Sequence, residues 1–265
     1  MINLEKTSGL PIRVLDDYTL RFENPLSQRN PDITRRFLEM APVLMDKNIK
    51  PKKEELYYVY RGIALPEDLE KIRKNHLTYD ITIIPPLMLG KEFNKTLGHY
   101  HASIPGTNIA HPEVYEVLHG HALILLQKMS EEFGEVIKVL VLEVKTGQKV
   151  IYPPNYGHIL VNIGSGPLVT ANWLSTDYKP LYDPVKNKHG MAYYVVPDPE
   201  KRFEFVPNPS YDQHPDVRMI TTDFMKPFGI MGSVPMYVSG MNNPELLAFL
   251  NAPEKYAIEL SAITS

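Results

Sequence analysis

The sequence predicts a mainly β protein, built as an antiparallel sandwich or barrel. Short runs of β-branched and aromatic residues recur between residues 55 and 175, at spacings of roughly 8–12 residues. Glycines such as Gly120, Gly147 and Gly164 separate these runs and mark turns. The chain also contains 24 prolines in 265 residues, a high number that favours turns and loop-bounded strands.

The N-terminal segment is predicted to contain one helix. Residues 30–32 (Asn-Pro-Asp) combine a capping Asn, a Pro in the first turn and an acid near the positive end of the helix dipole. Apolar residues then recur at helical spacing at Phe37, Met40, Ala41 and Leu44. We expect this helix to end near Asn48.

The central part of the chain reads as a series of strands. They are predicted at residues 56–60, 78–89, 114–127 with a break at Gly120, 136–145, 149–152, 158–163 and 167–173. Pro85 and Pro86 place the end of the second run at a sheet edge or strand end. Residues 131–135 read as a polar turn.

Beyond residue 178 the pattern is weaker. A strand is predicted at residues 192–196, loops at 197–241, and a helix from Asn243 that stops at Pro253 and resumes at 258–260. The predicted domains are therefore an N-terminal segment with a helix (1–53), a β-barrel (54–178) and a C-terminal extension (179–265).

Composition excludes several classes of function. Hydrophobic residues make up 43% and charged residues 22% of the chain, and the net charge is −3. These values are ordinary for a soluble protein and give no electrostatic reason to expect nucleic acid or an anionic membrane as a partner. No apolar run approaches the roughly 20 residues that span a bilayer, and the first 24 residues lack a signal-peptide core. With no cysteine in the chain, we expect a cytoplasmic protein without disulfides or thiolate zinc sites.

Two separated blocks of sequence predict one metal site. On a strand, residues two apart face the same side, so His99 and His101 project together. Glu113 begins the strand that returns, and His158 begins a later strand that completes the set. Imidazole and carboxylate ligands suit Fe2+, Mn2+, Ni2+ or Zn2+, and they do not choose among these ions. Four such ligands around an octahedral ion leave two positions for water or substrate oxygens.

These blocks resemble the two motifs of the cupin superfamily. The first runs from His99 to Gly120, and the second runs from Gly147 to Asn162. Asn155 stands where the superfamily usually has Gly, and Asn tolerates a positive φ better than most residues. The resemblance implies a cupin double-stranded β-barrel (jelly roll), here with an N-terminal helix and a C-terminal helical extension.

A narrower resemblance is to the archaeal cupin-type glucose-6-phosphate isomerases. The matching segments are residues 83–93, 96–101, 113–115, 125–127, 152–154 with His158, and 161–164, within a region of about 54–175. Members of that family are metal-dependent homodimers of glycolysis and gluconeogenesis that interconvert glucose 6-phosphate and fructose 6-phosphate. The resemblance implies one divalent ion per subunit, Fe2+ first, on His99, His101, Glu113 and His158.

It also implies a substrate site for a phosphorylated hexose. The positions that match residues near the sugar phosphate are Tyr57, Thr82, Thr96 and Gly98, and Tyr115 matches a tyrosine beside the substrate. Tyr152 is a further candidate. Strand propensity alone would equally explain the two threonines, and packing would equally explain Tyr115.

The expected chemistry is an aldose–ketose isomerisation. A metal would polarise both substrate oxygens and stabilise an enediolate, and Glu113 is the nearest candidate base. Because a ligated carboxylate is a weak base, a hydride shift between the two carbons stays open. Two further alternatives stay open as well: a cupin Fe2+ dioxygenase, and a metal-stabilised sugar-binding cupin without turnover.

Two features depart from the family pattern. The loop from His101 to Glu113 is longer than expected and carries His111, which we expect near the pocket mouth. Some 70–80 residues also follow the barrel. A second pair, His119 and His121, flanks Gly120 on a predicted turn and is expected outside the metal site.

Overall fold

Two sheets form the centre of the structure, an antiparallel sheet of six strands and a sheet of four strands. The computed structural model describes residues 1–130 and 133–265. The polar turn predicted at 131–135 therefore begins with two residues outside the described part. In the first part of the chain the strands are β1 (Ile2–Asn3), β2 (Ile12–Val14), β3 (Leu20–Phe22), β4 (Ile33–Arg36), β5 (Glu55–Tyr60), β6 (Leu77–Ile84), β7 (Met88–Leu89), β8 (Glu92–Phe93) and β9 (Tyr100–His101).

The later strands and the helices complete the element order. The strands are β10 (Glu113–His119), β11 (His121–Met129), β12 (Val136–Lys145), β13 (Lys149–Tyr152), β14 (Tyr156–Asn162), β15 (Leu168–Ser175), β16 (Pro180–Leu181), β17 (Tyr193–Asp198), β18 (Arg202–Pro207) and β19 (Val217–Met219). The α-helices are α1 (Glu5–Ser8), α2 (Phe37–Met40), α3 (Leu69–Lys74), α4 (Asp183–Asn187), α5 (Met236–Asn242) and α6 (Ala257–Ala262). Short 3-10 helices cover Ala41–Val43, Pro66–Asp68, Asp223–Met225, Gly229–Met231, Pro244–Leu250 and Pro253–Tyr256. None of the helices in the described part of the chain is long and apolar enough to cross a membrane.

The larger sheet has the strand order β13-β10-β15-β6-β5-β4, and the smaller has the order β14-β11-β12-β19. The chain passes between them repeatedly, because β10, β13 and β15 belong to one sheet while β11, β12 and β14 belong to the other. This arrangement confirms the predicted mainly β cupin fold. The break predicted at Gly120 is one of these crossings. Its φ is +94°, and a Cβ there would lie 2.7 Å from the carbonyl oxygen of Pro167, so glycine alone fits.

The N-terminal helix is present but shorter than predicted, and its predicted start at residues 30–32 is wrong. Residues Ile33–Arg36 form β4, which pairs antiparallel with β5. The helix α2 is limited to Phe37–Met40 and continues as the 3-10 helix Ala41–Val43. Pairing with a neighbouring strand outweighs the local capping signal here, because helices of this length draw little stability from propensity alone.

The C-terminal extension is helical at its end, as predicted, and it packs on the barrel. Residues on a strand alternate between faces, and Tyr79 and Trp173 lie on the opposite face of the large sheet from Asp80 and Asn172. There Trp173 stacks with Tyr237 of α5 at a ring distance of 5.9 Å, and its Nε1 donates to the carbonyl of Met236 at 3.2 Å. The extension thus covers the outer face of the large sheet.

The loop predicted at residues 197–241 is only partly a loop. Its first residues belong to a hairpin of β17 and β18, and β19 joins the small sheet in parallel with β12. The residues of β18 are half-buried or exposed. Its sequence therefore lacks a clear apolar face from which a strand could be predicted. The domain boundaries after residues 53 and 178 stay predictions.

Candidate metal centre and active-site cavity

Four predicted ligands converge at one point between the sheets. Each of His99, His101, Glu113 and His158 offers a nitrogen or oxygen atom, and these atoms all lie within 4.8 Å of one another. Backbone pairing brings the two sequence blocks together, since His158 N donates to His99 O at 3.1 Å. The Nε2 atoms of His99 and His101 are 3.2 Å apart, and His158 Nε2 lies 3.3 Å from Glu113 Oε2.

This cluster fits a divalent cation. Glu113 Oε2 and both ring nitrogens of His158 are buried and have no hydrogen-bond partner among the described residues. Leaving such atoms unpaired costs about 1–3 kcal/mol each, so their convergence needs an explanation. Two ligands about 2.1 Å from one ion at a right angle lie about 3 Å apart, which matches the spacing of these atoms.

The electrostatics of the cluster also suit a cation. Burial lowers the pKa of His99 and of His158 well below the usual value and lowers the pKa of His101 to about 4. The rings are therefore neutral near pH 7, the form that binds metals, and their contacts with Glu113 are not ion pairs. Burial raises the pKa of Glu113 to about 8, and the charge of Asp80 adds to this. An ionised Glu113 therefore needs a positive charge beside it.

Two of the four predicted ligands have a partner that sets their orientation. His101 Nδ1 donates to the carbonyl of His111 at 2.8 Å, which leaves Nε2 for the ion. The Nδ1 of His111 donates in turn to the carbonyl of Leu250 at 2.8 Å. Asn172 Nδ2 donates to Glu113 Oε1 at 2.8 Å, which leaves Oε2 directed toward the histidines. His111, which belongs to the long loop, is buried and supports a predicted ligand.

A cavity opens beside the cluster and contains most of the predicted substrate residues. Its wall includes Tyr57, Thr82, Thr96, Gly98 and Tyr115, together with the ligands His99, Glu113 and His158. Tyr152 does not line it. The Tyr152 ring lies behind Tyr115, stacked at 4.5 Å, and its hydroxyl is buried with no hydrogen-bond partner among the described residues.

Two predicted backbone features position this wall. Gly98 has a φ of +84°, and a Cβ there would collide with the Cγ2 of Ile159. Asn155 adopts a φ of +67°, as expected for an Asn that replaces Gly in the second motif. Its side-chain oxygen accepts from the backbone N–H of Ala110 at 2.8 Å, and this bond ties the long loop to the motif.

The described chain matches the model of one protein family. The family is glucose-6-phosphate isomerase (GPI), and the match runs over residues 34–210, about two thirds of the chain. The chain belongs to the glucose-6-phosphate isomerase family. This membership confirms the predicted enzyme class, an isomerase.

Curated relatives agree with the family match. Glucose-6-phosphate isomerase of Thermococcus gammatolerans is 29% identical over 180 residues, which cover 68% of this chain and 87% of the relative. The enzyme of Sinorhizobium medicae is 29% identical over 178 residues, which cover 67% of this chain and 78% of the relative.

Solved structures resemble about half of the chain. Vicilin from Solanum melongena aligns with a TM-score of 0.35 and 14% identity over 49% of this chain and 32% of its own. Oxalate decarboxylase from Bacillus subtilis aligns with a TM-score of 0.33 and 19% identity over 51% of this chain and 29% of its own. The matched part therefore spans about a third of each of those longer chains.

The cavity also contains residues that the sequence did not single out, and all of them except Ile33 lie within the family match. They are Ile33, Arg35, Val59, Arg61, Asp80, Leu160, Asn172, Tyr178 and Tyr182. Alternation along β15 offered a signal for Asn172, a polar residue on a face shared with Thr170. Tyr178 and Tyr182 gave none, because both lie between the predicted strands at 167–173 and 192–196. Their rings lie 5.1 Å from His101 and 5.2 Å from His99, respectively.

The second histidine pair lies apart from this cavity. His121 Nε2 contacts Glu143 Oε1 at 2.7 Å, and Arg202 donates to the same carboxylate at 2.8 Å. The cavity wall includes neither His119 nor His121, in agreement with the prediction.

Proposed function

We propose that this protein is a metal-dependent isomerase that interconverts glucose 6-phosphate and fructose 6-phosphate. The observation that carries the proposal is the buried set of His99, His101, Glu113 and His158 at the end of a cavity lined by the family-matched residues. A divalent ion on these four residues supplies Lewis acidity toward the substrate's carbonyl and hydroxyl oxygens. Fe2+ is the ion we propose first, on family likeness.

Side chains of this protein would transfer the proton between carbons 1 and 2 of the substrate. By the enediolate route, conversion of aldose to ketose breaks the O–H bond at carbon 2 and forms one at carbon 1, while a base moves a proton from carbon 2 to carbon 1. We assign this transfer to Glu113, whose carboxylate faces the cavity and is held by Asn172. Tyr115 lines the same cavity as Glu113, and we assign its hydroxyl to orienting a substrate hydroxyl. A hydride shift would leave Glu113 with the ligand role alone.

Isomerisation in deuterated water separates these two routes. Proton transfer through Glu113 exchanges with solvent, so we expect deuterium at carbon 2 of glucose 6-phosphate made from fructose 6-phosphate. Product that contains no deuterium would contradict the assignment to Glu113 and favour the hydride shift.

A coupled assay tests the function itself. Fructose 6-phosphate is converted, and glucose 6-phosphate is detected with a dehydrogenase, before and after chelation and after restoring Fe2+, Mn2+, Ni2+ or Zn2+. We expect activity that chelation abolishes and one or more of these ions restores. Inactivity of the metal-loaded protein on both sugar phosphates would sink the proposal. The variant His158→Ala should lose bound metal, with His119→Ala as a matched control.

The family also supports proposals about assembly and place in the cell. We propose a homodimer in the cytoplasm that acts in glycolysis or gluconeogenesis. Light scattering on the purified, metal-loaded protein tests the dimer, and a mass of a single chain of 30.3 kDa would contradict it.

A further inference from the structure

Two arginines face the same cavity as the metal ligands. Arg35 lies on β4, and Arg61 follows β5, and both line the cavity with His99 and Glu113. Guanidinium groups bind phosphate in a bidentate fashion and stay charged at all accessible pH values. The wall residues predicted near the sugar phosphate, Tyr57, Thr82, Thr96 and Gly98, carry no positive charge.

The Arg35 guanidinium is held in place before any ligand arrives. Its side chain is 14% exposed, and Nη1 contacts Glu39 Oε1 at 2.7 Å. Its Nε donates to the hydroxyl of Tyr57 at 3.3 Å. The same group lies 5.9 Å and 5.7 Å from the ring centres of Tyr57 and Tyr182. This fixed group loses little conformational freedom on binding an anion.

Arg61 supplies a second positive charge to the cavity wall, from a position exposed to solvent. Its backbone N–H donates to Asp32 at 2.8 Å, and this bond anchors the residue. Within the part of the chain that the structure describes, its guanidinium makes neither a hydrogen bond nor an ion pair. The positive charge of Arg61 nevertheless acts on Asp80 and Glu113, so it lies near the cavity's two carboxylates.

The distance from the metal cluster suits the far end of a hexose phosphate. Between Glu113 on β10 and Thr82 on β6 there are two strand-to-strand steps, and between Glu113 and β4 there are four. At about 4.8 Å a step these are about 10 Å and about 19 Å across a flat sheet. Arg35 projects back from β4 into the cavity. A phosphate on carbon 6, with carbons 1 and 2 at the metal cluster, would lie between Thr82 and Arg35.

The charge of the wall also suits an anion. The charged side chains that line the cavity are Arg35, Arg61, Asp80 and Glu113, besides the neutral histidines. The two pairs of opposite charges cancel, and Glu39 offsets part of the charge of Arg35. A bound divalent ion would therefore leave the cavity positive, which favours an anion such as phosphate.

We infer that Arg35 and Arg61 form a cationic clamp that binds the substrate's phosphate and selects phosphorylated over unphosphorylated hexoses. The inference rests on the proposed function. It adds two specificity-determining residues to Tyr57, Thr82, Thr96 and Gly98. The competing explanation is a purely structural role, in which Arg35 pairs with Glu39 and Arg61 offsets the charge of Asp80.

Charge-removing variants test the clamp in the metal-loaded protein. Arg35→Gln and Arg61→Gln are compared with Arg36→Gln, a control on the same strand whose side chain is 64% exposed and contacts Glu55. We expect KM for fructose 6-phosphate and the inhibition constant of inorganic phosphate to rise about tenfold or more in each clamp variant. We expect kcat and metal content to stay within about threefold, and Arg35→Lys to have a smaller effect than Arg35→Gln.

Several results would overturn the clamp. Values of KM and of the phosphate inhibition constant that equal those of Arg36→Gln would do so, and so would a loss confined to kcat. Arg61 is exposed, so its variant tests the inference even if Arg35→Gln folds poorly.

A binding experiment separates failure of the clamp from failure of the proposed function. Calorimetry compares glucitol 6-phosphate with glucitol, neither of which can isomerise. A protein without isomerase activity that still prefers the phosphorylated polyol, and loses this preference in Arg35→Gln, has the clamp but not the proposed reaction. A wild-type protein without that preference has no clamp.

Discussion

At the scale of single residues, the decisive feature is a set of buried atoms that lack partners. Glu113 Oε2 and the two ring nitrogens of His158 have none among the described residues. His99 and His101 bring their Nε2 atoms within 3.2 Å, a contact that two neutral rings do not favour without a shared ion or proton. These atoms are kept together by backbone pairing and by Asn172 and His111, so the site is preformed.

Metal affinity should depend on pH through Glu113. Without metal, burial holds the pKa of Glu113 at about 8, so below that pH a proton must leave before the carboxylate can bind an ion. The histidines are already neutral there and contribute nothing. We expect the affinity for Ni2+ to rise by about tenfold per pH unit between pH 6 and 7.5 and to level off above 8. Calorimetric titrations at several pH values measure this, and a flat profile below pH 8 would contradict it.

At the scale of elements, the long loop and the C-terminal extension meet at one ligand. The loop's His111 supports His101 through its backbone carbonyl, and its ring is held by Leu250 of the 3-10 helix Pro244–Leu250. The family match ends at residue 210, so the extension reaches the metal cluster from outside the matched region.

Replacing His111 should therefore weaken metal binding. The variant His111→Leu keeps the backbone carbonyl but loses the bond to Leu250, so the loop is no longer fixed and His101 loses its orientation. We expect the metal dissociation constant to rise about tenfold, with a thermal unfolding profile close to that of the parent apoprotein. Competition with a chelator measures the constant. His119→Leu is the control. Equal metal dissociation constants in the two variants would show that the bond between His111 and Leu250 does not affect metal binding.

A buried ion pair connects the extension to the large sheet. Lys149 Nζ lies 3.7 Å from Glu116 Oε1, and the two side chains are 1% and 3% exposed. Lys149 also donates to the carbonyls of Gly232 and of Val234, the latter at 2.6 Å. Met236 N donates to Glu116 Oε2 at 2.7 Å. Both partners of the pair thus hold the start of α5.

Breaking this pair from one side should destabilise the protein. The variant Lys149→Met leaves the carboxylate of Glu116 buried without its cation, and we expect a loss of about 3–5 kcal/mol in the free energy of unfolding. The double variant Glu116→Gln/Lys149→Met removes the unpaired charge and should recover part of that loss. Denaturant unfolding of both proteins measures the difference. A double variant no more stable than the single one would indicate that the lysine's bonds to the carbonyls dominate.

The pH dependence of the same pair has a definite sign. Burial raises the pKa of Glu116 to about 7, above its usual 4.5. A carboxyl group whose pKa is higher in the folded state favours folding at low pH, and this contribution is lost as the pH rises from about 4.5 through 7.

At the scale of the whole molecule, a bound ion would connect the two sheets. Glu113 belongs to the large sheet and His158 to the small one, while His99 and His101 lie on the segment that bridges to β14. One cation on all four would therefore link the two sheets and that segment at a single point.

Removing the ion should lower the stability of the entire barrel. A ligand that binds only the folded state stabilises it by about 2.7 kcal/mol at a hundredfold excess over its dissociation constant. We expect chelation to lower the Tm by several degrees and re-addition of the ion to restore it, as followed by calorimetry. The His158→Ala variant should show no such shift. A Tm that chelation leaves unchanged in the wild type would contradict a link between the sheets.

The sequence by itself determined the fold class, and it predicted a ligand set whose side chains the structure brings together. Period-two patterns specify strands, and His99, His101, Glu113 and His158 stand in motifs whose spacing is set by the strands that hold them. The substrate wall was predicted from the family resemblance, and Tyr57, Thr82, Thr96, Gly98 and Tyr115 line the cavity. Tyr152 was also predicted to contact the substrate, but it does not line the cavity. Its ring stacks against Tyr115, a contact that the spacing between residues 152 and 158 does not predict.

Only the tertiary structure decided what lies beyond the motifs. Arg35 was placed on a predicted helix and lies instead on an edge strand, since pairing with β5 outweighs a local capping signal. Arg61, Tyr178 and Tyr182 reach the cavity through loops, and His111 and Leu250 meet across 139 positions of sequence. Contacts of this kind leave no periodic trace, because they depend on how sheets and loops pack and not on the spacing of residues along one element.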